Sequence, residues 1–171
     1  MTRTAPAVRC LVLLMMLALA AGCSHYSFSA AAKTHISTIA IPILENETLA
    51  YGAEIGITDA LIEQFTTDNT LRVVGEDDAD SILRGAVAVY ERPVMSYDAG
   101  GNPLEYKVRV IARLSYEDVT RGSLVWEEEV EGWAVYSVSG GSGELSSEEE
   151  AQERAYEKLA EDVLSKTVQG W

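Results

Sequence analysis

From Leu104 to Glu117 the chain reads LEYKVRVIARLSYE, and its side chains divide by parity. Leu104, Tyr106, Val108, Val110, Ala112 and Leu114 fall on one side, and Glu105, Lys107, Arg109, Arg113 and Glu117 on the other. Successive residues of a strand point to opposite faces, so this run predicts a long strand with one buried and one wet face. After the turn DVTRGS the pattern repeats, with Leu124, Trp126 and Val130 opposing Glu127, Glu129 and Glu131. The chain is thereby committed to an antiparallel hairpin whose apolar side needs a cover.

Two helices are available to cover it. SSEEEAQERAYEKLAEDVLSKTV begins with Ser146 or Ser147 as a cap, places Glu148 to Glu150 over the positive end of the helix dipole, and carries a stripe of Ala151, Ala155, Leu159, Val163 and Leu164. Glu153, Glu157 and Glu161 are like charges four apart, so packing must hold this helix together. Residues 52–69 carry a second stripe, Ile55, Leu61, Ile62 and Phe65, ended by Asp68-Asn69. Before it, THISTIAIP is apolar on both faces like a central strand, with Pro42 closing it; after it, LRVV is a short strand. SILRGAVAVYERP sets Leu83, Val87 and Val89 on one face, and Gly100-Gly101-Asn102 supplies the tip of a hairpin. The predicted fold is α+β: two helices on one face of a small, about four-stranded mixed sheet, in the order β-α-β-β-β-β-α, with a right-handed crossover through the first helix.

The amino terminus has a different fate. The apolar run Cys10 to Ala21 holds 12 residues, whereas a helix crossing ~30 Å of hydrocarbon needs roughly 20. Arg3 and Arg9 precede it, and Ala20-Ala21-Gly22-Cys23 follows, the three-part layout of an export signal. The small residues before Cys23 resemble a bacterial lipobox, although the usual leucine three places before the cysteine is Ala20 here, with Leu19 one further back. Residues 1–22 are therefore expected to be a cleaved lipoprotein signal peptide, Cys23 the lipid attachment site, residues 23–33 the lipidated N-terminus and tether, and residues 34–171 one domain. Ser24, rather than Asp, follows the cysteine, which in such lipoproteins implies sorting to the outer membrane.

Loss of the leader removes two arginines and no acids, so the formal charge of −14 becomes about −16. Such a surface repels nucleic acid. An anionic lipid would need a local basic site or bridging cations. With Cys10 removed and Cys23 acylated no disulfide can form, and His25 and His35 make no cluster with metal-ligand spacing. The four acids of EDDAD (Glu76 to Asp80) lack the EF-hand spacing and read as a solvated turn. No nucleophile sits beside a base and no carboxylate pair lies in an apolar run, so neither a catalytic residue nor a cofactor is expected. Asn46-Glu47-Thr48 matches an N-glycosylation acceptor, a signal made moot by a bacterial export leader. One binding candidate remains: Lys107, Arg109 and Arg113 form a basic stripe suited to the phosphates of an anionic lipid. If the hairpin pairs residues whose numbers sum to 240, Arg113 meets Glu127 and Arg109 meets Glu131, and the residues favour these ion pairs over the phosphate site.

GCSHYSFS, TIAIPILENETL with DALIEQFTTDNTLRVV, ADSILRG, SYDAGGNPLEYKVRV, LVWEEEVEG with YSVSG, and LAEDVLSKTVQGW together resemble, in order and spacing, the LptE family of outer-membrane lipoproteins. The resemblance implies a non-enzymatic α+β domain seated in the lumen of an LptD-like β-barrel, supporting that barrel's assembly and able to contact lipopolysaccharide. It also implies that the acidic faces meet this partner rather than bulk solvent, and that the protein is lipid-anchored in the outer membrane, facing the periplasm. Some family members carry a basic residue at the hairpin tip and another in the loop before the last helix, both implicated in lipopolysaccharide contact. The corresponding stretches here, residues 97–101 and 138–144, have no Lys or Arg, which shifts weight to the barrel-plug role. TIAIPILENET before a helix also resembles periplasmic lipoproteins like CsgG or the activators of cell-wall synthases, while the EYKVRV hairpin and SKTVQGW suit LptE better.

Overall fold

The computed structural model describes residues 35–138 and 145–169; the leader, Cys23, the tether and most of the loop before the last helix lie outside the described residues. In chain order the elements are β1 (Thr38–Ala40), β2 (Glu45–Asn46), α1 (Ala53–Asp68), β3 (Arg72–Val73), a 3-10 turn at Glu76–Asp78, β4 (Ser81–Glu91), β5 (Val94–Tyr97), β6 (Pro103–Asp118), β7 (Ser123–Ser137) and α2 (Glu148–Gln169). The class is α+β, as expected. Among the described residues the sheet has seven strands rather than about four, in the order β3-β1-β4-β6-β5, with β2 beside β4 and β7 beside β6.

The extra strands come from prolines. β1 and β2 follow one track along β4, Ile39 opposite Ser81 and Asn46 opposite Val87, and Pro42 interrupts the ladder between them because it has no N–H to give. Arg92 and Pro93 likewise separate β4 from β5, and both strands line the same edge of β6. β1 is buried on both faces, with Ile39 fully enclosed between parallel neighbours β3 and β4.

A bulge redirects β4. Val87 faces Ala112 and Val89 faces Ile111, leaving Ala88 unpaired. Beyond it Tyr90, not Val89, stands opposite Val110 and packs on the core, which corrects the expectation that Val89 shares the face of Leu83 and Val87. The stripe of α1 also differs. Ala53, Ile57, Leu61 and Phe65 are buried and Ile55 is exposed. Ile55 stands about 200° around the helix from Ile57, on the solvent side.

Both helices cover the same sheet face, completing a core that joins Ile57, Leu61 and Phe65 of α1 to Val108, Val110 and Leu114 of β6 and to Leu159 and Val163 of α2. α2 begins as its sequence predicts: the Ser147 hydroxyl accepts from the Glu150 amide at 3.2 Å, while the Glu150 carboxylate receives the Ser146 amide at 2.8 Å. Its seat on β7 depends on Gly132, where an added Cβ would lie 2.0 Å from the carbonyl oxygen of Ala155. Among the described residues, no helix is long and apolar enough to cross a membrane.

Two buttoned carboxylates hold the start of the domain. Asp80 takes the amides of Ser37 (2.8 Å) and Thr38 (3.0 Å) and the Ser37 hydroxyl (2.8 Å), so the last acid of EDDAD fastens β1 to the foot of β4. Asp118, 3% exposed, bonds His35 (2.5 Å), the Thr120 hydroxyl (2.7 Å) and the Arg121 amide (3.1 Å), joining the first described residue to the β6–β7 turn.

The bonds from Ser37 and Thr38 hold the Asp80 carboxyl at about 2, below the roughly 3.9 of an unfolded aspartate. A depressed folded pKa contributes stability that is present above the unfolded value and lost as pH falls through the folded one. Asp80→Asn is therefore expected to melt below the wild type at pH 7, with the gap closing between about pH 4 and pH 2. Thermal melts followed by circular dichroism across that range check it; a gap independent of pH would exclude the carboxylate as its source.

Candidate functional site

The sheet face opposite the helices carries the candidate stripe. β6 and β7 pair residues whose numbers sum to 242, not 240, along most of the hairpin: Arg109 stands opposite Trp133 and Arg113 opposite Glu129. The offset arises at the turn. Residues 119–122 form a four-residue loop in which Gly122 takes φ of 61°, and one extra residue, Val125, enters β7 between the partners of Tyr116 and Glu117. This register brings the Tyr116 and Trp126 rings, tilted 34° to one another, to 5.9 Å on the core side. Beyond Val125 the shift of two residues preserves the faces and changes the partners. Before it, Leu124 pairs with Glu117 and is exposed, which corrects the expectation that it shares the apolar face of Trp126 and Val130.

Arg109 still reaches Glu131, now diagonally, through two bonds at 2.9 and 3.1 Å, and gives a third at 2.7 Å to Glu91 of β4. Those bonds, Glu131 first, drive its pKa up, and Arg109 in turn holds the Glu131 carboxyl below its ordinary value. Lys107 joins Glu131 at 3.4 Å. Arg113 does not meet Glu127; it faces Glu47, beyond β2, at 3.4 Å and Glu129 at 3.8 Å. The structure thus brings all three predicted cations onto one face and gives each a carboxylate. Such partly exposed pairs are individually weak, yet a phosphate would have to displace them to bind there.

Several neighbours escaped sequence reasoning. Glu47 and Glu91 come from other segments, and no local pattern ties them to the stripe. Trp133 receives Lys107 at 4.7 Å and Lys158 of α2 at 4.5 Å from its ring centre, so two ammonium groups share one aromatic face system at the β7 edge. Its place opposite Arg109 was hidden by the register.

Beside the stripe lies an open groove of about 470 Å³, lined by Pro42, Glu45, Glu47, Arg84, Arg113 and Glu127. A second groove, about 590 Å³, runs between the helices among Asp59, Glu63, Glu149, Glu153 and Glu157. Its floor is Tyr156, whose ring fills the space over Gly56, 2.6 Å from where a Cβ would sit. The β5–β6 tip closes around an acid: the Asp98 carboxylate accepts the amides of Gly100 and Asn102, both at 2.8 Å, and the Asn102 side-chain amide at 2.9 Å. The Asn102 bonds hold Asp98 below the ordinary carboxylate range, so the tip presents negative charge at neutral pH. Among the described residues no group of three or more His, Cys, Asp or Glu side chains is arranged to hold a metal ion.

Residues 36–167 match the family model LptE, described as lipopolysaccharide-assembly. No curated protein matches the chain. Among solved structures, the hypothetical protein CT253 from Chlamydia trachomatis superposes with a TM-score of 0.54 at 9% identity, over 78% of this chain and 99% of that one. A putative lipoprotein from Caulobacter crescentus CB15 gives 0.52 at 14% identity, over 78% and 92%. A minor lipoprotein from Acinetobacter baumannii gives 0.51 at 18% identity, over 79% and 94%. At these identities the likeness is one of fold.

Proposed function

Because the chain belongs to the LptE lipopolysaccharide-assembly family, we propose that it is a non-enzymatic outer-membrane lipoprotein, acylated at Cys23, that seats in the lumen of an LptD-like β-barrel and supports its assembly. One observation carries this reading: the family match runs from β1 to the last turn of α2, so the whole folded domain takes part and not a single motif. The charge arrangement supports a plug in preference to a direct lipopolysaccharide carrier. Lys107, Arg109 and Arg113 are engaged by Glu131, Glu91, Glu47 and Glu129, and the hairpin tip is centred on Asp98. A phosphorylated glycolipid finds no unmatched cation at either place, whereas a protein wall can complement an acidic surface with its own basic groups.

The test is affinity purification of the tagged full-length protein from detergent-solubilised outer membranes. The expected result is co-purification of one LptD-like β-barrel in equal amount. A ring of identical subunits, or the protein alone, would overturn the proposal.

A further inference from the structure

The loop between β2 and α1 presents apolar side chains in a rigid frame. Leu49 is 105% exposed and Tyr51 99%, with Ile43 and Ile55 exposed on either side of them in the chain. Isolated surface apolar residues need no explanation, but Leu49 and Tyr51, two residues apart on one loop and almost wholly in solvent, do. The loop that carries Leu49 and Tyr51 is tightly bonded. Asn46 accepts the Thr48 amide (2.9 Å) and hydroxyl (2.7 Å) and donates to the carbonyl of Ala50 (2.8 Å) and to Glu54 (2.6 Å). The Thr48 hydroxyl accepts the Ala50 amide at 3.1 Å, and the Glu47 amide is tied to Val87 of β4 at 3.0 Å. Gly52, at φ of 82°, turns the chain into α1, a conformation that costs a residue with a Cβ more than glycine. The amides of Glu47, Thr48 and Ala50 and the carbonyl of Ala50 are thus tied down while Leu49 and Tyr51 are held out into solvent.

We infer that Leu49 and Tyr51 are a preformed anchor pair that inserts into an apolar pocket on the wall of the barrel partner. This deepens the function proposed above and rests on it. Preorganisation removes most of the ordering cost of docking, and a tyrosine supplies large, stiff contact area, the character of an interface hot spot. Charge selects the occupant. The segment 43–55 holds Glu45, Glu47 and Glu54 and no Lys or Arg, so an anionic lipid surface is repelled, while a protein pocket with cations on its rim is attracted. The groove of about 470 Å³ adjoins the loop through Ile43, Glu45 and Glu47; Arg84 and Arg113 also line it and Arg113 meets Glu47 at 3.4 Å, so it offers both charge signs to a polar side chain of the same partner beside the anchors.

The experiment uses the full-length, acylated protein in two arms. In the first, Leu49→Ser with Tyr51→Ser is compared with wild type for recovery of the barrel from solubilised outer membranes. The expected loss is about tenfold or more, with the melting midpoint unchanged, because both side chains are already in water. In the second, Tyr51 is replaced by p-benzoylphenylalanine, which leaves the loop's hydrogen bonds in place, and is irradiated in intact cells; the expected adduct is with the barrel. A wild type that recovers no barrel overturns the function proposal and this inference together. Equal recovery by wild type and variant, or crosslinks to lipid alone, overturns this inference while leaving the function proposal standing. Should the double variant melt lower than wild type, the crosslinking arm decides.

Discussion

Gly132→Val is expected to lower the melting midpoint by about 10 °C. A Cβ at position 132 would lie 2.0 Å from the Ala155 carbonyl oxygen, 2.8 Å from the Leu159 Cβ and 3.0 Å from the Leu159 nitrogen. Two of those three atoms are helix backbone. No rotamer change relieves the collision, so α2 must lift from β7. Lifting it opens the packing of Leu159 and Val163, both fully buried, against the strands. Overpacked cores lose typically 1–3 kcal/mol, and a clash with rigid backbone belongs at the top of that range, about 3 kcal/mol. For a domain of this size each kcal/mol moves the midpoint by roughly 3 °C. Gly75→Ala is the matched control, since a Cβ there meets nothing within 4 Å and the φ of −69° suits any residue. Circular dichroism melts of the two variants beside wild type decide the matter. If Gly132→Val melted with wild type, the close seat of α2 on β7 would be refuted.

Cys23→Ala is expected to abolish acylation outright and to remove the lipid anchor. On the proposed processing, Cys23 is the single thiol left once Cys10 departs with the leader, so no second residue can accept the lipid. Each buried methylene contributes about 0.8 kcal/mol, and two or three acyl chains make the anchor effectively stable. Its loss should therefore shift the protein from almost wholly membrane-bound to a distribution governed by partner contacts alone. The variant should also run as an uncleaved or aberrantly cleaved species. Radiolabelled palmitate and membrane fractionation check both parts, and label entering the alanine variant would refute the assignment.

These expectations draw on different depths of information. The proposal for Cys23 rests on the sequence alone, because processing signals are read from an extended chain, where order and side-chain size suffice, and the residue lies outside the described ones. The strands of the β6–β7 hairpin were legible for a related reason: the period of two is a property of the backbone, so Lys107, Arg109 and Arg113 had to share a face opposite Val108, Val110 and Ala112. The start of α2 and its stripe of Ala151, Ala155, Leu159 and Val163 followed from local capping chemistry and the 3.6-residue turn.

Partner identity was another matter. The stripe's cations meet Glu47 and Glu91 across strands distant in sequence, and Arg113 misses Glu127 because a loop of four residues and one inserted residue at Val125 move the register by two. Ala88 turns Tyr90 inward by the same device, one unpaired residue reversing the faces beyond it. Ile55 lost its place on the helix stripe to Ile57 because both are equally apolar and the α2 and sheet surfaces chose between them. The sequence by itself determined the long strands of the β6–β7 hairpin and both helices, and the apolar side of β6 and of α2, because those are consequences of one residue's distance from the next along a regular backbone. The tertiary structure alone decided who faces whom, because register depends on the summed geometry of turns and bulges, and a one-residue change there costs little locally yet displaces every pairing that follows.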